Sequence, residues 1–154
     1  MALSDRILVM NLGVVQQIDT PLNVYNNPVN RFVFSFIGLS SFLSVVRADD
    51  GLRLSGGERL PDDLTPPENT NKEKDARFSL ASRPSEIDFC GEGGLRGVVG
   101  RKSFLGEIVD YQVKIGDQEL RVQKGRRAPG PDVGESCGLR LLRPFWYAEN
   151  AETE

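Results

Sequence analysis

Histidine is absent from the 154-residue sequence. Its absence excludes Ser-His and Cys-His nucleophile systems, histidine-ligated zinc and a histidine proton shuttle. Cysteine is scarce, since Cys90 and Cys137 are too few for a disulfide framework or a four-thiolate zinc site, and they are compatible with a reducing compartment. We therefore predict no catalytic residue, no metal ligand and no cofactor-binding residue in this chain.

Long apolar runs are also missing. No stretch approaches the roughly 20 apolar residues that a bilayer-spanning helix needs. Residues 1–6 lack the cationic segment and following apolar run of a signal peptide. We therefore predict no direct membrane insertion, so that any membrane association comes through a protein partner.

The charges that are present are nearly balanced. The sequence has 19 basic and 22 acidic side chains, 39% hydrophobic residues and 27% charged residues, which is typical of a soluble globular protein. The length suits one ordinary domain or two very small ones. Basic residues are not interleaved with stacking aromatic residues, as they are in single-strand binders, and this predicts no nucleic-acid partner.

The N-terminal part of the sequence predicts a β-hairpin followed by a helix. Apolar runs at 7–10 and 14–18 flank a turn that contains Gly13. The first run is apolar on both faces, which favours a strand buried in a larger sheet. Thr20 as N-cap and Pro21 as first helical residue predict that a helix begins there.

A second helix is predicted to start at Asn27-Pro28 and to end at Gly38. Apolar residues recur at helical spacing between these points: Val29, Phe32, Val33, Phe36 and Ile37. Core packing is the favoured interpretation of this stripe over a ligand-binding role.

Beyond Gly38 the pattern changes to short β-strands with glycine corners. Residues 109–115 alternate apolar and polar side chains, the period of a half-buried strand. Residues 61–75 hold three prolines and few apolar side chains, which predicts a flexible surface loop. Five to seven strands predict a partly open barrel over 41–154. The predicted fold class is mainly β, with a small OB-like barrel preceded by a hairpin and short helices.

Residues 54–58, Leu-Ser-Gly-Gly-Glu, are similar to the signature pentapeptide of ABC-type ATPases, with Glu58 in place of the usual Gln. That motif acts at the start of a helix, where backbone N–H groups face phosphate. Here Pro61 disfavours such a helix, and the phosphate-binding Gly-x-x-x-x-Gly-Lys-Ser/Thr loop is missing. We therefore predict a β-turn between strands.

Arg101, Lys102 and Ser103 form a candidate oxyanion contact, because two cations, a hydroxyl group and nearby glycine amides can bind an anion. The alternative is that these residues are solvated strand ends.

The cluster Phe145, Trp146 and Tyr147 near the C-terminus is a candidate interface. Three adjacent rings cannot all face one core. Partial closure of the barrel core and contact with another chain are the two interpretations of this cluster.

Residues 2–13, Ala-Leu-Ser-Asp-Arg-Ile-Leu-Val-Met-Asn-Leu-Gly, resemble a segment late in the ATPase domain of bacterial ABC importers. The resemblance continues through Gln17, Thr20-Pro21 and Tyr25 to Phe36-Ile37-Gly38. The family pattern is Asp-Arg-Ile-x-Val-Met, then Gly, Gln, Thr-Pro, Tyr, Pro and Phe-Ile-Gly. It covers about the first 40 residues.

The remainder resembles the C-terminal regulatory region of the maltose, spermidine, sulfate, molybdate and iron(III) importer ATPases. Arg83-Pro84 with Ile87 is similar to that family's strand exit. Three further motifs look like its transport-associated OB-type (TOBE) barrel: Gly97-x-Val99, Phe104-Leu105-Gly106 and Tyr111-x-Val113.

The resemblance implies a fragment of an ATP-binding subunit, with 1–40 from the end of the ATPase domain and 41–154 as the regulatory barrel. ATP and magnesium would be bound upstream, so the parent would be an ATPase while this chain would not hydrolyse ATP. The expected partners are a second copy and, through the parent, the permease subunits. The expected location is the cytoplasmic face of the cell membrane.

Two functions from different classes follow. In the first, the barrel dimerises and regulates the importer ATPase. In the second, it senses a small oxyanion or metal–anion complex at Arg101, Lys102 and Ser103. The resemblance also implies that residues 1 to about 19 lack their usual cover, so we expect them to dock onto a second copy or to be poorly ordered.

Overall fold

The computed structural model describes residues 5–55, 57–68, 70 and 72–149. Its N-terminal part is an antiparallel hairpin followed by two short helices, as the sequence predicts. Leu12 and Gly13 form the hairpin turn, with φ angles of 51° and 80°. The four elements are β1 (Ile7–Asn11), β2 (Val14–Asp19), α1 (Pro21–Asn26) and α2 (Arg31–Ile37).

Both helices begin at side-chain caps. The Thr20 hydroxyl accepts a hydrogen bond from the Asn23 N–H at 3.2 Å, and Pro21 follows it, which confirms the predicted start of α1. The second helix begins later than the Asn27-Pro28 signal predicts, because Asn30 is its cap and accepts from the Val33 N–H at 2.9 Å.

The first strand does not lie in a larger sheet. Among the described residues its only partner strand is β2. Val9 is 3% exposed and packs on Val24 and Val33 of the helices, whereas Leu8 and Met10 on the other face are 48% and 49% exposed. The prediction of burial on both faces is therefore wrong, because the helices cover only one side of the hairpin.

The rest of the described chain forms a β-barrel from two sheets, with strand orders β6-β10-β7-β8-β9 and β11-β5-β3-β4. The nine strands are β3 (Ser41–Ala48), β4 (Gly51–Leu54), β5 (Arg77–Ser82), β6 (Ile87–Cys90), β7 (Leu95–Phe104), β8 (Ile108–Ile115), β9 (Gln118–Gly125), β10 (Ser136–Leu141) and β11 (Phe145–Ala148). The predicted fold class is confirmed. The predicted five to seven strands are too few, because β6 and β11 have only four residues each and no alternating pattern.

The alternation predicted for β8 is confirmed with one exception. Its inward residues are at most 3% exposed: Val109, Tyr111, Val113 and Ile115. Asp110 on the other face is also buried, at 8%, because its carboxylate accepts hydrogen bonds from Arg121 at 2.6 Å and Gln123 at 3.1 Å. The carboxylate is thus satisfied although water hardly reaches it.

The two sheets meet where β9 lies beside β3. Side chains make the hydrogen bonds there. The Ser41 hydroxyl donates to the Arg121 carbonyl at 2.7 Å and accepts from the Arg121 N–H at 2.9 Å. The Gln118 amide accepts from the Ser44 N–H at 2.7 Å and donates to its carbonyl at 3.1 Å. Because side chains rather than backbone pairs join β3 and β9, backbone pairing closes the barrel only in part.

The segment predicted as a surface loop, 61–75, contains no helix or strand among its described residues. It is nevertheless attached to the barrel, because Leu64 is 8% exposed and packs in the barrel core together with Leu60. The flexibility of this loop stays a prediction.

Gly97 offers a direct test of the barrel packing. A Cβ atom there would lie 2.7 Å from the Lys114 carbonyl oxygen and 2.7 Å from Val113 Cγ1, so Gly97→Ala should lower the free energy of unfolding by about 1–3 kcal/mol. Gly100→Ala in the same strand is the control, since its Cβ has ordinary contacts of 3.7 Å or more. Chemical denaturation measures both, and equal stabilities of the two variants would contradict the prediction.

Candidate functional site: the junction and the hairpin face

Phe34 joins the N-terminal hairpin and helices to the barrel. Its side chain is 0% exposed. The ring lies edge-on to three rings of the barrel, at centroid distances of 5.7 Å to Phe42, 5.4 Å to Phe145 and 6.1 Å to Tyr147. Edge-on aromatic pairs add to the free energy of apolar burial. We call this contact between the hairpin–helix unit, residues 7–37, and the barrel the junction.

The predicted interface residues Phe145, Trp146 and Tyr147 lie on opposite faces of β11. Phe145 and Tyr147 stack at 6.3 Å on the side of Phe34, whereas Trp146 points to the barrel core and lies 6.2 Å from Phe78. The strand alternation thus divides the three rings between two packed regions. All three are used within the chain, and their contact with another chain stays a prediction.

Tyr147 also ties the barrel to the segment between the two helices. Its hydroxyl donates a hydrogen bond to the Pro28 carbonyl at 2.9 Å. Burial raises the pKa of Tyr147 well above its ordinary value, because the phenolate would be poorly solvated there. The hydroxyl therefore keeps the proton that it donates.

Arg83 follows β5 and reaches from the barrel to the helices. Its Nη1 donates to the Phe34 carbonyl at 2.8 Å and to the Leu39 carbonyl at 2.9 Å. The guanidinium lies 3.8 Å from the centroid of the Phe34 ring and 4.6 Å from that of Tyr25. Arg83 is 3% exposed, and this burial lowers its pKa from the ordinary value.

A partly buried polar cluster forms a second link at the junction. Arg31 of α2 donates to the Ser79 hydroxyl at 2.9 Å, and the same hydroxyl donates to the Glu149 carboxylate at 2.9 Å. The guanidinium of Arg31 and the carboxylate of Glu149 are 3.7 Å apart. The barrel therefore holds α2 through charged as well as aromatic contacts.

The outer face of the hairpin is apolar and uncovered. Leu8 pairs with Ile18 across the strands, and Met10 pairs with Val15. These four side chains are 47% to 51% exposed. Contiguous apolar patches on a soluble protein commonly mark interaction sites. The hairpin face, defined as these four residues, is therefore a candidate contact surface.

The candidate oxyanion residues do not converge on one point. They are consecutive on β7, so Arg101 and Ser103 lie on one face and Lys102 on the other. The Lys102 ammonium donates to Asp132 at 3.1 Å, and this hydrogen bond raises its pKa. One of the two predicted cations is thus already paired within the chain.

The described residues of the Leu-Ser-Gly-Gly-Glu segment form the predicted turn between strands. The Leu54 N–H donates to the Glu58 carbonyl at 2.7 Å, and Gly57 has a φ of 103°. Arg53 and Arg59 form an antiparallel bridge on either side. The Gly57 N–H also donates to the Leu54 carbonyl at 2.8 Å, the hydrogen bond of a β-turn, so the turn prediction is confirmed. Among the described residues of this segment there is no helix whose amides could point at a phosphate.

Among the described residues, no group of three or more histidine, cysteine, aspartate or glutamate side chains could hold a metal ion. The two cysteines are free, with Cys90 half-buried and Cys137 buried. No described helix is long and apolar enough to cross a bilayer.

Phe34 and Arg83 are not among the residues that the sequence analysis singles out for function. The helical stripe predicted for α2 points elsewhere, and two of its members, Val29 and Phe36, are 55% and 65% exposed. The only local sequence signal for Arg83 is the Arg-Pro motif. Sequence spacing cannot predict that Arg83 is buried against Phe34 and Leu39, which lie 49 and 44 residues away along the chain.

Comparison with known proteins connects this geometry to a family. Residues 80–143, from the middle of β5 to just beyond β10, match the family described as TOBE domain. The chain is 30% identical over 151 residues to the spermidine/putrescine import ATP-binding protein of Spiroplasma citri, covering 95% of this chain and 42% of that protein.

Two further relatives agree. The chain is 35% identical over 159 residues to the sn-glycerol-3-phosphate import ATP-binding protein of Salmonella choleraesuis, covering 99% of this chain and 43% of that protein. It is 36% identical over 155 residues to the spermidine/putrescine import ATP-binding protein of Pseudomonas fluorescens, covering 93% and 41%. The chain thus spans about two fifths of the length of the curated relatives it matches. The predicted resemblance is confirmed: the chain carries a TOBE domain and corresponds to the C-terminal region of ABC importer ATP-binding subunits.

Proposed function

We propose that this chain is the regulatory and dimerisation region of the ATP-binding subunit of an ABC importer, and that it supports ATP-driven solute uptake without hydrolysing ATP itself. The observation that carries the proposal is the junction. A TOBE-matched barrel is fixed by buried aromatic contacts to a hairpin–helix unit whose outer face is uncovered. The hairpin–helix unit therefore has the form of a connector between the barrel and another apolar surface.

The hairpin face would be covered by the ATP-binding region of the parent. The relatives are more than twice as long as this chain, which matches their C-terminal part. The hairpin lies at the N-terminal end of the match, where that region would precede it. ATP and magnesium would be bound there, and the permease subunits would contact the parent at the cytoplasmic face of the membrane.

Dimerisation would use the turn between β7 and β8. Phe104 at the end of β7 and Leu105 in the turn are 70% and 53% exposed, and neither belongs to the junction or the hairpin face. Exposed aromatic and aliphatic side chains of this kind are typical anchors of protein interfaces. A stable barrel-to-barrel contact should bury on the order of 1,000 Å² or more.

The absence of ATP hydrolysis is directly testable. Purified chain is mixed with ATP and magnesium, and released phosphate is measured over several hours beside a protein-free blank. We expect no release above the blank. Turnover that co-purifies with the chain and persists after a second chromatographic step would contradict this part of the proposal.

A small-anion sensor is the second candidate function. Arg101 and Ser103 share one face of β7, and Gln112 lies opposite Arg101 on β8. Calorimetry with sulfate, phosphate, molybdate and ferric citrate tests this function. Heat that disappears in Arg101→Ala would support the sensor, whereas no heat with any of the four on folded protein would exclude these anions as its ligands.

A further inference from the structure

We propose that Arg83 is a releasable latch that sets the orientation of the hairpin–helix unit on the barrel. This inference goes beyond the proposed function, because it concerns the junction of the single chain and requires neither dimerisation nor a transport partner. It follows from what the Arg83 guanidinium contacts, from the donors that it leaves without a partner, and from the space around it.

In its closed position Arg83 holds several parts of the hairpin–helix unit at once. Its two hydrogen bonds reach the Phe34 carbonyl within α2 and the Leu39 carbonyl just after that helix. The guanidinium also lies over the rings of Phe34 and Tyr25, which belong to different helices. One barrel side chain therefore contacts α1, α2 and the segment leading to β3.

The closed contact leaves much of the guanidinium unsatisfied. The group has five N–H donors. Both hydrogen bonds come from Nη1, while Nε and Nη2 are buried and have no hydrogen-bond partner among the described residues. Each buried donor without a partner opposes the closed state, because water would satisfy it on opening. The cation–π contacts offset part of this loss.

The N-terminal end of α2 has its own contacts with the barrel, separate from those of Arg83. A cleft of about 460 Å³ lies beside Leu12 at the hairpin tip, Arg31 of α2 and Tyr147 of β11. On this side the Pro28 carbonyl remains tied to Tyr147 and the side chain of Arg31 to Ser79. These contacts form a pivot at the N-terminal end of α2, whereas Arg83 contacts the middle of the helix at Phe34 and the segment just after it at Leu39. Loss of the Arg83 contacts therefore lets α2 tilt about the pivot while the barrel stays folded.

Gly38 is the second part of the latch. It ends α2 in extended conformation, which any residue adopts, so glycine is not needed there for its backbone angles. Space is the constraint, because a Cβ atom would lie 3.2 Å from Tyr25 Cε2 and 3.3 Å from Arg83 Nη1. A methyl group at this position would push the two stacked groups apart without altering either of them.

Hydrogen exchange measured by NMR on the whole chain tests the latch. The reporters are the Phe34 amide, which donates to the Asn30 carbonyl within α2, and the Val113 amide in the barrel core. In the native protein we expect the Phe34 amide to exchange through a local opening of α2 during which the Val113 amide stays protected. Arg83→Met keeps the apolar stem and removes the donors, and should speed exchange at Phe34 by about tenfold or more with Val113 unchanged.

Two further variants keep the test decisive if Arg83→Met does not fold. Gly38→Ala should speed exchange at Phe34 in the same direction, while Gly100→Ala, whose Cβ meets only ordinary contacts, should not. Equal opening free energies at Phe34 and Val113 in the native protein would show that α2 never opens separately. That result, or unchanged exchange at Phe34 in folded Arg83→Met and Gly38→Ala, would overturn the proposal.

Discussion

The Phe34→Ala variant is expected to lose about 3–5 kcal/mol of unfolding free energy, the range found when a fully buried aromatic side chain is truncated. Phe34 is 0% exposed and contacts rings from β3 and β11. Its removal leaves a cavity between α2 and the barrel, and this cavity can close only if the backbone on both sides shifts. Denaturation followed by fluorescence of Trp146, which lies on the same strand as two of these rings, measures the loss.

Phe36→Ala is the matched control for this variant. The residue type and the helix are the same, but Phe36 is 65% exposed and contacts Phe32 rather than the barrel. We expect a loss below about 1 kcal/mol, as is usual for exposed positions. Similar losses for the two variants would contradict the assignment of Phe34 as the junction residue.

Local signals in the sequence were sufficient for the hairpin, the start of α1 and the alternation in β8. A glycine-containing turn, a Thr-Pro pair and a period of two each act within a few residues, so no distant contact has to be known. The end of α2 at Gly38 belongs to the same class, since the helix stops where the predicted stripe stops.

The functional features depend on contacts between distant residues. In α2 the helical stripe suggested burial of Phe36, but the barrel lies against Phe34. In β11 the three rings gave no alternating polar pattern, so neither the strand nor the division of its rings between two packed regions was evident. The ion pair that occupies Lys102 comes from Asp132, thirty residues along the chain, and sequence spacing gives no sign of it.

The hairpin–helix unit depends on the junction for its stability. Val9, Val24 and Val33 form the small apolar cluster of the hairpin–helix unit, and the barrel has a separate and much larger one. Two-stranded hairpins are marginal alone, so the smaller unit depends on contacts with its surroundings. Here those contacts come from the aromatic rings of β3 and β11 and from Arg83, which follows β5.

Two matched double variants distinguish a dimer formed through the barrel from self-association through the uncovered hairpin face. Phe104→Ser with Leu105→Ser removes the apolar turn between β7 and β8. Under the proposed function, sedimentation velocity should show the dimer association constant falling by about thirtyfold or more, as expected when interface anchors are lost. The substituted side chains are exposed, so thermal unfolding should hardly change.

Met10→Thr with Val15→Thr is the matched variant on the hairpin face. Threonine retains strand propensity, and the two residues face each other across the hairpin at 49% and 47% exposure. We expect this variant to retain the dimer, because under the proposed function the hairpin face would be covered by the parent's ATP-binding region and would take no part in barrel pairing. A dimer that survives Phe104→Ser with Leu105→Ser but dissociates in Met10→Thr with Val15→Thr would contradict pairing through the barrel. The contact would then arise from the uncovered hairpin face, and regulation by barrel dimerisation would lose its structural basis.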